Sequence, residues 1–290
     1  MQIAHAEDSA QINSVRGKER EFKTLLNGDD TALDNFRLYF VRQKGEVDIP
    51  RHKHNFDQIR VCLEGGKQNF GKDKWIAPGE IAYFPEGTPY GPEQSNTERL
   101  SITLQFGGAS GSGFVSSARL HKAMDEMKEF GTFEKGVFKR VGQLAPGEKR
   151  NQDAYEAVWE HVNKRKLVYP KARYGEAILM KPENFDWEPS DDQPGFAAKN
   201  LCSFSERSLQ FSMAKLTPGA RGLKHSRGGI QIGFVVQGTG TVNGQALRKH
   251  SAFSGREDFA LSSDEGMEVL LIGLPIFAEQ AKPESLVAAE

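Results

Sequence analysis

The 290-residue sequence predicts a mainly β protein, with two antiparallel β-sandwich or barrel halves joined by a helical connector. Short runs of β-branched and aromatic residues, separated by Gly and Pro, occur in two stretches of the chain. Between these stretches, two segments place apolar residues at helical spacing. In addition, one pattern of polar residues recurs in both strand-rich stretches at equal offsets, which indicates two copies of one β-domain.

The first strand-rich stretch covers residues 35–106, and turn sequences such as EGG, PGE and PEGTP separate its strands. The predicted strands are FRLYFV (36–41), QIRVCL (58–63), EIAYF (80–84) and LSITLQF (100–106). Short strands at this turn frequency, with no helical pattern between them, are typical of an antiparallel sandwich or barrel.

The middle of the chain has a different pattern. GGASGSG (107–113) is rich in Gly and Ser, and we expect a hinge or a lid over the neighbouring barrel there. ARLHKAMDEMKEF (118–130) and DAYEAVWEHVNKRK (153–166) predict helices, because their apolar residues recur at helical spacing. Strand patterns return after residue 170, in EAILM, LQFSMAKL, IQIGFVV, GTVNGQAL and MEVLLIGL.

These patterns divide the chain into five predicted segments. They are an N-terminal extension (1–34), a first barrel with a candidate metal site (35–110), the helical connector (111–170), a second barrel (171–278) and a tail (279–290).

Composition and charge narrow the function classes. A formal net charge of −1 gives no electrostatic reason to expect nucleic acid or an anionic membrane as partner. Two cysteines, Cys62 and Cys202, are too few for a disulfide framework, which favours a reduced, cytoplasmic setting. Neither a secretory signal nor an apolar run of ~18 residues is evident. We expect a cytoplasmic protein, and an exposed barrel edge would allow a homodimer.

The repeated pattern is a histidine, a second basic residue two positions later, a glutamine four positions after that, and a glycine after six more residues. The first copy consists of His52, His54, Gln58 and Gly65. The second copy consists of His225, Arg227, Gln231 and Gly238. Agreement of four positions at equal offsets indicates a duplicated domain.

These residues resemble the cupin family. Its first motif is Gly, His-x-His, three or four residues, Glu, six residues and Gly, and its second is Gly, five residues, Pro-x-Gly, two residues, His and then Asn. Gly79 and Pro85-Glu86-Gly87 fit the second motif, and Pro218-Gly219 lies at the expected distance before His225. The resemblance covers about 35–110 and 175–275. It implies a bicupin with two double-stranded β-helix (jelly-roll) barrels.

The sequence departs from the family pattern at the ligand positions. Glutamine replaces glutamate in both halves, Tyr90 replaces the histidine of the second motif, and Gln94 replaces the asparagine. In the second copy, Arg227 replaces the second histidine. Aligning Phe84 with Phe253 places Phe259 at the last ligand position. We therefore interpret the second barrel as a degenerate copy, kept for dimerisation, for capping the first barrel or for binding a small anion.

Strand alternation predicts which side chains of the first copy face the barrel interior. His52, His54, Gln58, Arg60 and Cys62 share one parity. Ile59, Val61 and Leu63 share the other parity and should pack on the opposite surface. Since cupins hold their ligands inside the barrel, the resemblance implies a metal site formed by His52, His54, Gln58 and Tyr90.

Two histidines with oxygen donors suit one divalent transition metal in the first barrel: Fe, Mn, Ni, Cu or Zn. Alternatives remain open for three residues. Gln58 either donates its carbonyl oxygen or orients a histidine. Tyr90 either binds the metal as phenolate or serves as an acid, a base or a hydrogen-bond donor. Arg60 either anchors an anionic substrate or forms a salt bridge at the rim.

The resemblance implies a metal-dependent enzyme, most simply a dioxygenase-type oxidoreductase, acting on a small oxygen-rich or anionic organic molecule. Under this hypothesis Tyr90 and Arg60 are the catalytic residues. Two alternatives are a non-catalytic cupin that binds a metabolite or sugar, and a cupin isomerase, lyase or cyclase. The choice of reaction rests on fold analogy.

Overall fold

The computed structural model describes residues 1–12, 19–134 and 136–277. The strands of the first half are β1 (Gln2–His5), β2 (Gln11–Ile12), β3 (Arg20–Asn27), β4 (Phe36–Gln43), β5 (Val47–Ile49), β6 (Asp57–Gly65), β7 (Gln68–Gly71), β8 (Lys74–Ile76), β9 (Ile81–Phe84), β10 (Glu93–Ser95) and β11 (Arg99–Phe106). The connector contains α1 (Ser117–Met127), β12 (Gly131–Glu134), β13 (Val137–Arg140), β14 (Asn151–Asp153) and α2 (Ala154–Asn163).

The second half is again built of short strands. They are β15 (Ile178–Met180), β16 (Glu188–Pro189), β17 (Phe196–Ser203), β18 (Gln210–Leu216), β19 (Ala220–Lys224), β20 (Gln231–Gly238), β21 (Gly240–Val242), β22 (Gln245–Leu247), β23 (Ser251–Gly255), β24 (Phe259–Ser263) and β25 (Met267–Gly273). Short 3₁₀ turns cover Pro182–Asn184 and Glu206–Ser208. Within the described residues, no helix is long and apolar enough to cross a membrane.

Each half contains one seven-stranded antiparallel sheet, and the two halves exchange edge strands. The first sheet has the order β15-β9-β6-β11-β4-β3-β2, and the second has the order β1-β23-β20-β25-β18-β17-β16. Thus β1, from the start of the chain, pairs with β23, while β15, from the second half, pairs with β9. The predicted two-barrel fold is confirmed, and the exchanged strands tie the barrels to each other.

The faces of the central strands follow the predicted alternation. In β6, Ile59 and Val61 lie in the apolar core shared by the two barrels, together with Phe234 and Leu270 of the second sheet. Cys62 points the other way, into an apolar cluster with Phe84 and Tyr90 inside the first barrel. Both faces of β6 are therefore buried, which explains its nearly continuous burial.

The interior of the second barrel is filled with apolar side chains. This cluster includes Phe196, Leu216, Val235, Val242, Leu247, Phe253, Phe259, Leu261, Met267, Val269 and Leu271. Packing of this kind at native density leaves little space for a polar ligand.

The connector is a small α/β unit. Ser116 caps α1 through the backbone N–H of Arg119 at 3.3 Å, and Asp153 caps α2 through that of Glu156 at 3.0 Å. The helices pack on the β12-β13-β14 sheet around Phe138. The two predicted helices are confirmed, whereas the three short strands between them were not predicted.

Candidate functional site

The site in the first barrel begins with a backbone contact between two distant segments. The N–H of His52 donates to the carbonyl of Tyr90 at 3.0 Å, and the N–H of Tyr90 donates to the carbonyl of His52 at 2.9 Å. This isolated bridge brings the His-x-His segment against the turn that follows β9. The five residues predicted for the site, His52, His54, Gln58, Arg60 and Tyr90, lie close together.

Hydrogen bonds at both ring nitrogens orient the His52 imidazole. Nδ1 lies 2.8 Å from the carbonyl oxygen of Pro50, which can only accept, so Nδ1 carries the proton. Nε2 is then an acceptor, and it receives the hydroxyl of Tyr90 at 3.0 Å. The ring is partly exposed, whereas Tyr90 is buried. His52 therefore presents a basic nitrogen to a buried phenol.

Gln58 and Arg60 lie beneath this pair. The Arg60 Nη2 donates to the Tyr90 hydroxyl at 3.3 Å. With its oxygen turned toward Arg60, the Gln58 amide accepts from Nε at 2.9 Å and from Nη2 at 3.2 Å. The opposite orientation would set the amide NH₂ against the guanidinium N–H groups, so we assign the oxygen to the side of Arg60. The guanidinium thus contacts both oxygen atoms predicted to bind a metal.

A buried carboxylate holds Arg60 in place. Glu93 pairs with Arg60 at 2.8 Å and with Arg99 at 3.1 Å, and it also contacts Arg20. Burial alone would raise the pKa of Glu93, but the surrounding guanidinium charges outweigh it and lower that pKa to about 2. Among the described residues, Arg60 and Arg99 therefore share one carboxylate, that of Glu93.

His54 forms the other side of the site. Its ring stacks on Phe56, with centroids 4.3 Å apart and an interplanar angle of 16°, and lies 5.0 Å from the His52 ring. Phe56 in turn contacts Phe114 and Tyr155 edge-on. The helical connector, which supplies Tyr155 from α2, therefore forms part of the wall of the site.

Three residues of this region were missed by sequence reasoning. The Tyr155 hydroxyl donates to Asn55 Oδ1 at 2.7 Å, which links α2 to the His-x-His segment. Asn55 is fully buried. Glu93 is also buried. The signal in the sequence that could have identified it is the inward-facing Arg60, because a buried guanidinium needs a negatively charged partner. No sequence pattern relates Tyr155 to the barrel.

The Gly/Ser-rich segment 107–113 contacts a second group of buried carboxylates. The Ser110 N–H and hydroxyl donate to Glu86 at 2.7 and 2.6 Å, and Arg173 pairs with Glu86 at 2.7 Å. Asp57 accepts the backbone N–H of Glu86 at 2.7 Å and the Tyr83 hydroxyl at 2.9 Å. Burial is the main cause that raises the pKa of Asp57 to about 7. The role of the segment as a hinge or lid stays a prediction.

The predicted four-ligand set does not fit a divalent cation well. His52 fits, because its protonated Nδ1 faces a carbonyl and its Nε2 lone pair faces the site, as in metal-bound histidines. Gln58 and Tyr90 do not, because their oxygens contact the guanidinium of Arg60. Among the described residues, no three His, Cys, Asp or Glu side chains are grouped so that they could hold a metal ion.

The strand register corrects one alignment made from the sequence. Gln58 pairs with Phe84, whereas its counterpart Gln231 pairs with Gly255. Gly255, and not Phe253, therefore corresponds to Phe84.

The register also identifies the residue beside His225. Lys224 pairs with Phe259, so the next position places Asp258 opposite His225, and Asp258 Oδ2 lies 3.1 Å from His225 Nδ1. The His225 side chain is 76% exposed, while Phe259 is buried in the second barrel. Arg227 donates to the backbone carbonyl of Ser208 at 3.0 Å. The second copy thus does not assemble the arrangement found around Tyr90.

Solved structures of two-barrel proteins share this fold. A "putative dioxygenase" from Nostoc punctiforme is 12% identical, with a TM-score of 0.60 over 96% of this chain and 87% of that chain. Oxalate decarboxylase from Bacillus subtilis, solved at pH 4.6, is 13% identical, with a TM-score of 0.56 over 94% of this chain and 76% of that chain. A further structure of that enzyme, from a study of its Mn(II) centres, is 12% identical, with a TM-score of 0.54 over 96% and 78%.

No family model matches the chain, and no curated protein matches it in sequence. The likeness to these solved structures nevertheless shows that the chain has the two-barrel cupin fold, as the resemblance of its motifs implies. At these identities the likeness extends to the fold alone.

Proposed function

We propose that the first barrel is an enzyme site that binds a small organic carboxylate and moves a proton on it, in the manner of an isomerase, lyase or cyclase. The observation that carries this proposal is the position of the Tyr90 hydroxyl. It lies 3.0 Å from His52 Nε2, 3.1 Å from the Gln58 amide and 3.3 Å from Arg60 Nη2. A phenol between a base and a fixed cation is poised for proton transfer.

Each of the three side chains has a role in this proposal. His52 accepts the Tyr90 proton at Nε2, and the resulting phenolate is stabilised by the guanidinium of Arg60. The phenolate then removes a proton from a substrate carbon next to a carboxylate, and His52 returns its own proton to the product. The hydrogen bond from Nδ1 to Pro50 keeps the imidazole in the required tautomer.

The charge of the interior supports an anionic substrate. Within the part of the chain that the structure describes, Arg60 and Arg99 share the carboxylate of Glu93, so the pair has one more positive charge than carboxylates bound to it. A buried excess of positive charge is reduced when a carboxylate or a phenolate is present. The same charge opposes a divalent cation next to Tyr90.

A metal-dependent dioxygenase is the second candidate. The His52 tautomer favours it, as does the fold shared with the Nostoc "putative dioxygenase" and with oxalate decarboxylase, which contains Mn(II) centres. In this case His52 and His54 would be the metal ligands, and Gln58 would keep its contact with Arg60. The metal would supply redox chemistry, including reaction with oxygen.

Hydrogen exchange in D₂O tests the leading proposal on a panel of small 2-oxo, 2-hydroxy and dicarboxylic acids. We expect at least one acid to raise the unfolding midpoint and to exchange its carbon-bound proton, as measured by ¹H NMR. Tyr90→Phe should keep the rise in midpoint and lose the exchange. A panel without any midpoint shift, or a Tyr90→Phe variant that exchanges at the wild-type rate, would overturn the proposal.

Metal analysis of untagged protein separates the two candidates. The leading proposal predicts substoichiometric metal in the wild type and unchanged exchange after treatment with a chelator. Stoichiometric metal that is lost in His52→Ala, together with activity lost on chelation, would establish the metal-dependent alternative instead.

A further inference from the structure

A cleft of about 390 Å³ lies at one end of the core between the two barrels. One wall is formed by residues 61–64 and 77–81 of the first barrel. The other is formed by residues 181–183, Trp187 and the face of the second sheet that is turned toward the first barrel. Its volume falls within the range of small-molecule sites. His52, Gln58 and Tyr90 do not line it, so it is distinct from the site inside the first barrel.

Lys199 occupies an apolar position of the second sheet next to this cleft. In the strand register, Lys199 pairs with Met213, Met213 pairs with Leu270, and Leu270 pairs with Phe234. Residues that pair across strands point to the same face. The other three side chains of this row pack in the core between the barrels. A lysine that is only 9% exposed therefore takes a place where the row otherwise has apolar side chains.

The contacts of Lys199 are with neutral groups. Its Nζ donates to the carbonyl oxygen of Pro182 at 2.8 Å and lies 4.8 Å from the centre of the Trp187 ring. No carboxylate of the described chain forms an ion pair with it, although Lys249 and Lys181, which also line the cleft, pair with Glu64 at 2.6 Å and with Glu80 at 3.3 Å. A buried ammonium without an anionic partner is costly.

The remaining surface of the cleft is mostly apolar or already neutralised. Met213, Val236 and Leu270 supply apolar surface, and the partly exposed Trp187 adds an indole ring. Glu268 pairs with Lys215 at 3.0 Å, and Glu183 is on the exposed side. The combination of a buried cation and an adjacent apolar surface fits an anion with an apolar body.

We propose that this cleft binds a small apolar carboxylic acid. Its carboxylate pairs with Lys199, and its body lies on Trp187 and Met213. Because both walls take part, the ligand bridges the two barrels. This proposal does not depend on the chemistry proposed for the first barrel.

Calorimetric titration with benzoate tests this site, with benzamide as the uncharged analogue and acetate as the analogue without an apolar body. We expect wild-type protein to bind benzoate with a dissociation constant in the millimolar range or below, and each analogue at least tenfold more weakly. Lys199→Met should weaken benzoate binding at least tenfold, because methionine fits the apolar row but lacks the charge. Lys139→Met, at the half-exposed ion pair with Glu134, removes a lysine charge outside the cleft, so it is the control and should leave the affinity unchanged.

Three results would overturn the proposal: no benzoate binding by the wild type, equal binding of benzamide, or unchanged affinity in Lys199→Met. Unchanged affinity in Lys199→Met would show that benzoate binds elsewhere on the protein, for example in the first barrel. Trp187→Leu provides a second test at a partly exposed position and should weaken benzoate at least threefold. None of these variants changes the residues around Tyr90, so the hydrogen-exchange experiment remains an independent test of the first barrel.

Discussion

The two barrels share one strand framework but fill it in opposite ways. At matching positions of β6 and β20, the first barrel has Arg60 and the second has Gly233. The partner of Arg60 on β9 is Ala82, and the partner of Gly233 on β23 is Phe253. The first barrel thus pairs the large, charged Arg60 with a small alanine, whereas the second barrel pairs a glycine with the large, apolar Phe253.

This exchange explains the character of each interior. A Cβ atom at Gly233 would lie 2.1 Å from the ring of Phe253, so the ring occupies the space next to the backbone where the first barrel places the side chain of Arg60. With Phe253 and Phe259 in contact, the second interior is an ordinary apolar core. The first interior instead keeps a guanidinium, which requires Glu93 and leaves polar atoms around Tyr90. Because such polar groups are costly to bury, we propose the ligand site in the first barrel and not in the second.

The largest expected effect comes from removing the counter-charge of the first barrel. Glu93→Gln leaves Arg60 and Arg99 buried without a carboxylate, and we expect the free energy of unfolding to fall by about 3–5 kcal/mol. Urea denaturation monitored by circular dichroism measures this loss. Glu98→Gln, which removes the exposed pair with Arg42, is the control and should cost less than about 1 kcal/mol. Equal losses in the two variants would contradict the comparison.

The pH dependence of stability should differ between two buried carboxylates of the first barrel. The pKa of Asp57 is raised to about 7, so the folded protein retains a proton that the unfolded chain has released. Its contribution to the free energy of unfolding therefore falls as pH rises from about 4 to about 7, by at most about 4 kcal/mol. The lowered pKa of Glu93, about 2, acts in the opposite direction: its stabilisation is complete above about 4.5 and is lost as pH falls toward 2.

Asp57→Asn isolates the first of these contributions. Denaturation of wild type and variant between pH 4.5 and pH 8 should give a stability difference that shifts in favour of the variant as pH rises, because asparagine does not ionise. Groups that do not interact with Asp57 cancel in this difference. A difference that is constant over the range would show that Asp57 titrates normally and would remove the proposed asymmetry.

An overpacking substitution tests the second barrel. Gly233→Ala places a methyl group against the ring of Phe253, and we expect a loss of about 1–3 kcal/mol in the free energy of unfolding. Gly175→Ala is the control, because no atom lies within 4 Å of the position of its Cβ. If Gly233→Ala were as stable as its control, the Phe253 ring would not be fixed in the space that corresponds to Arg60.

The sequence predicted the framework because the repeat and the motif spacings depend on local properties. Strand alternation was enough to place Gln58 and Arg60 on one face of β6, and the bridge between His52 and Tyr90 brings the other two residues to them. The exchange of β1 and β15 between the barrels was not predictable in this way, since an edge strand carries no signal that identifies its partner sheet.

The error in the second copy has a physical cause. Aligning Phe84 with Phe253 assumed equal loops, but Tyr90 follows Phe84 by six residues, whereas Asp258 follows Gly255 by only three. A shorter loop changes which residue faces the histidine without changing the strand framework. Loop length is therefore the property that sequence motifs constrain least, and it determines the residue opposite the histidine.

The smallest expected effects come from the histidine of the second barrel, and they complete the comparison. His225→Ala removes a side chain that is 76% exposed and paired with an exposed aspartate, so the free energy of unfolding should change by no more than about 0.5 kcal/mol. In His225→Ala, carboxylate binding to the first barrel and the hydrogen exchange of the bound acid should be unchanged. His52→Ala, the matched variant of the first barrel, should abolish the exchange because the base that accepts the Tyr90 proton is lost. NMR measurements of hydrogen exchange on both variants test this expectation. A loss of exchange in His225→Ala, or exchange at the wild-type rate in His52→Ala, would contradict the proposal that the first barrel carries out the reaction.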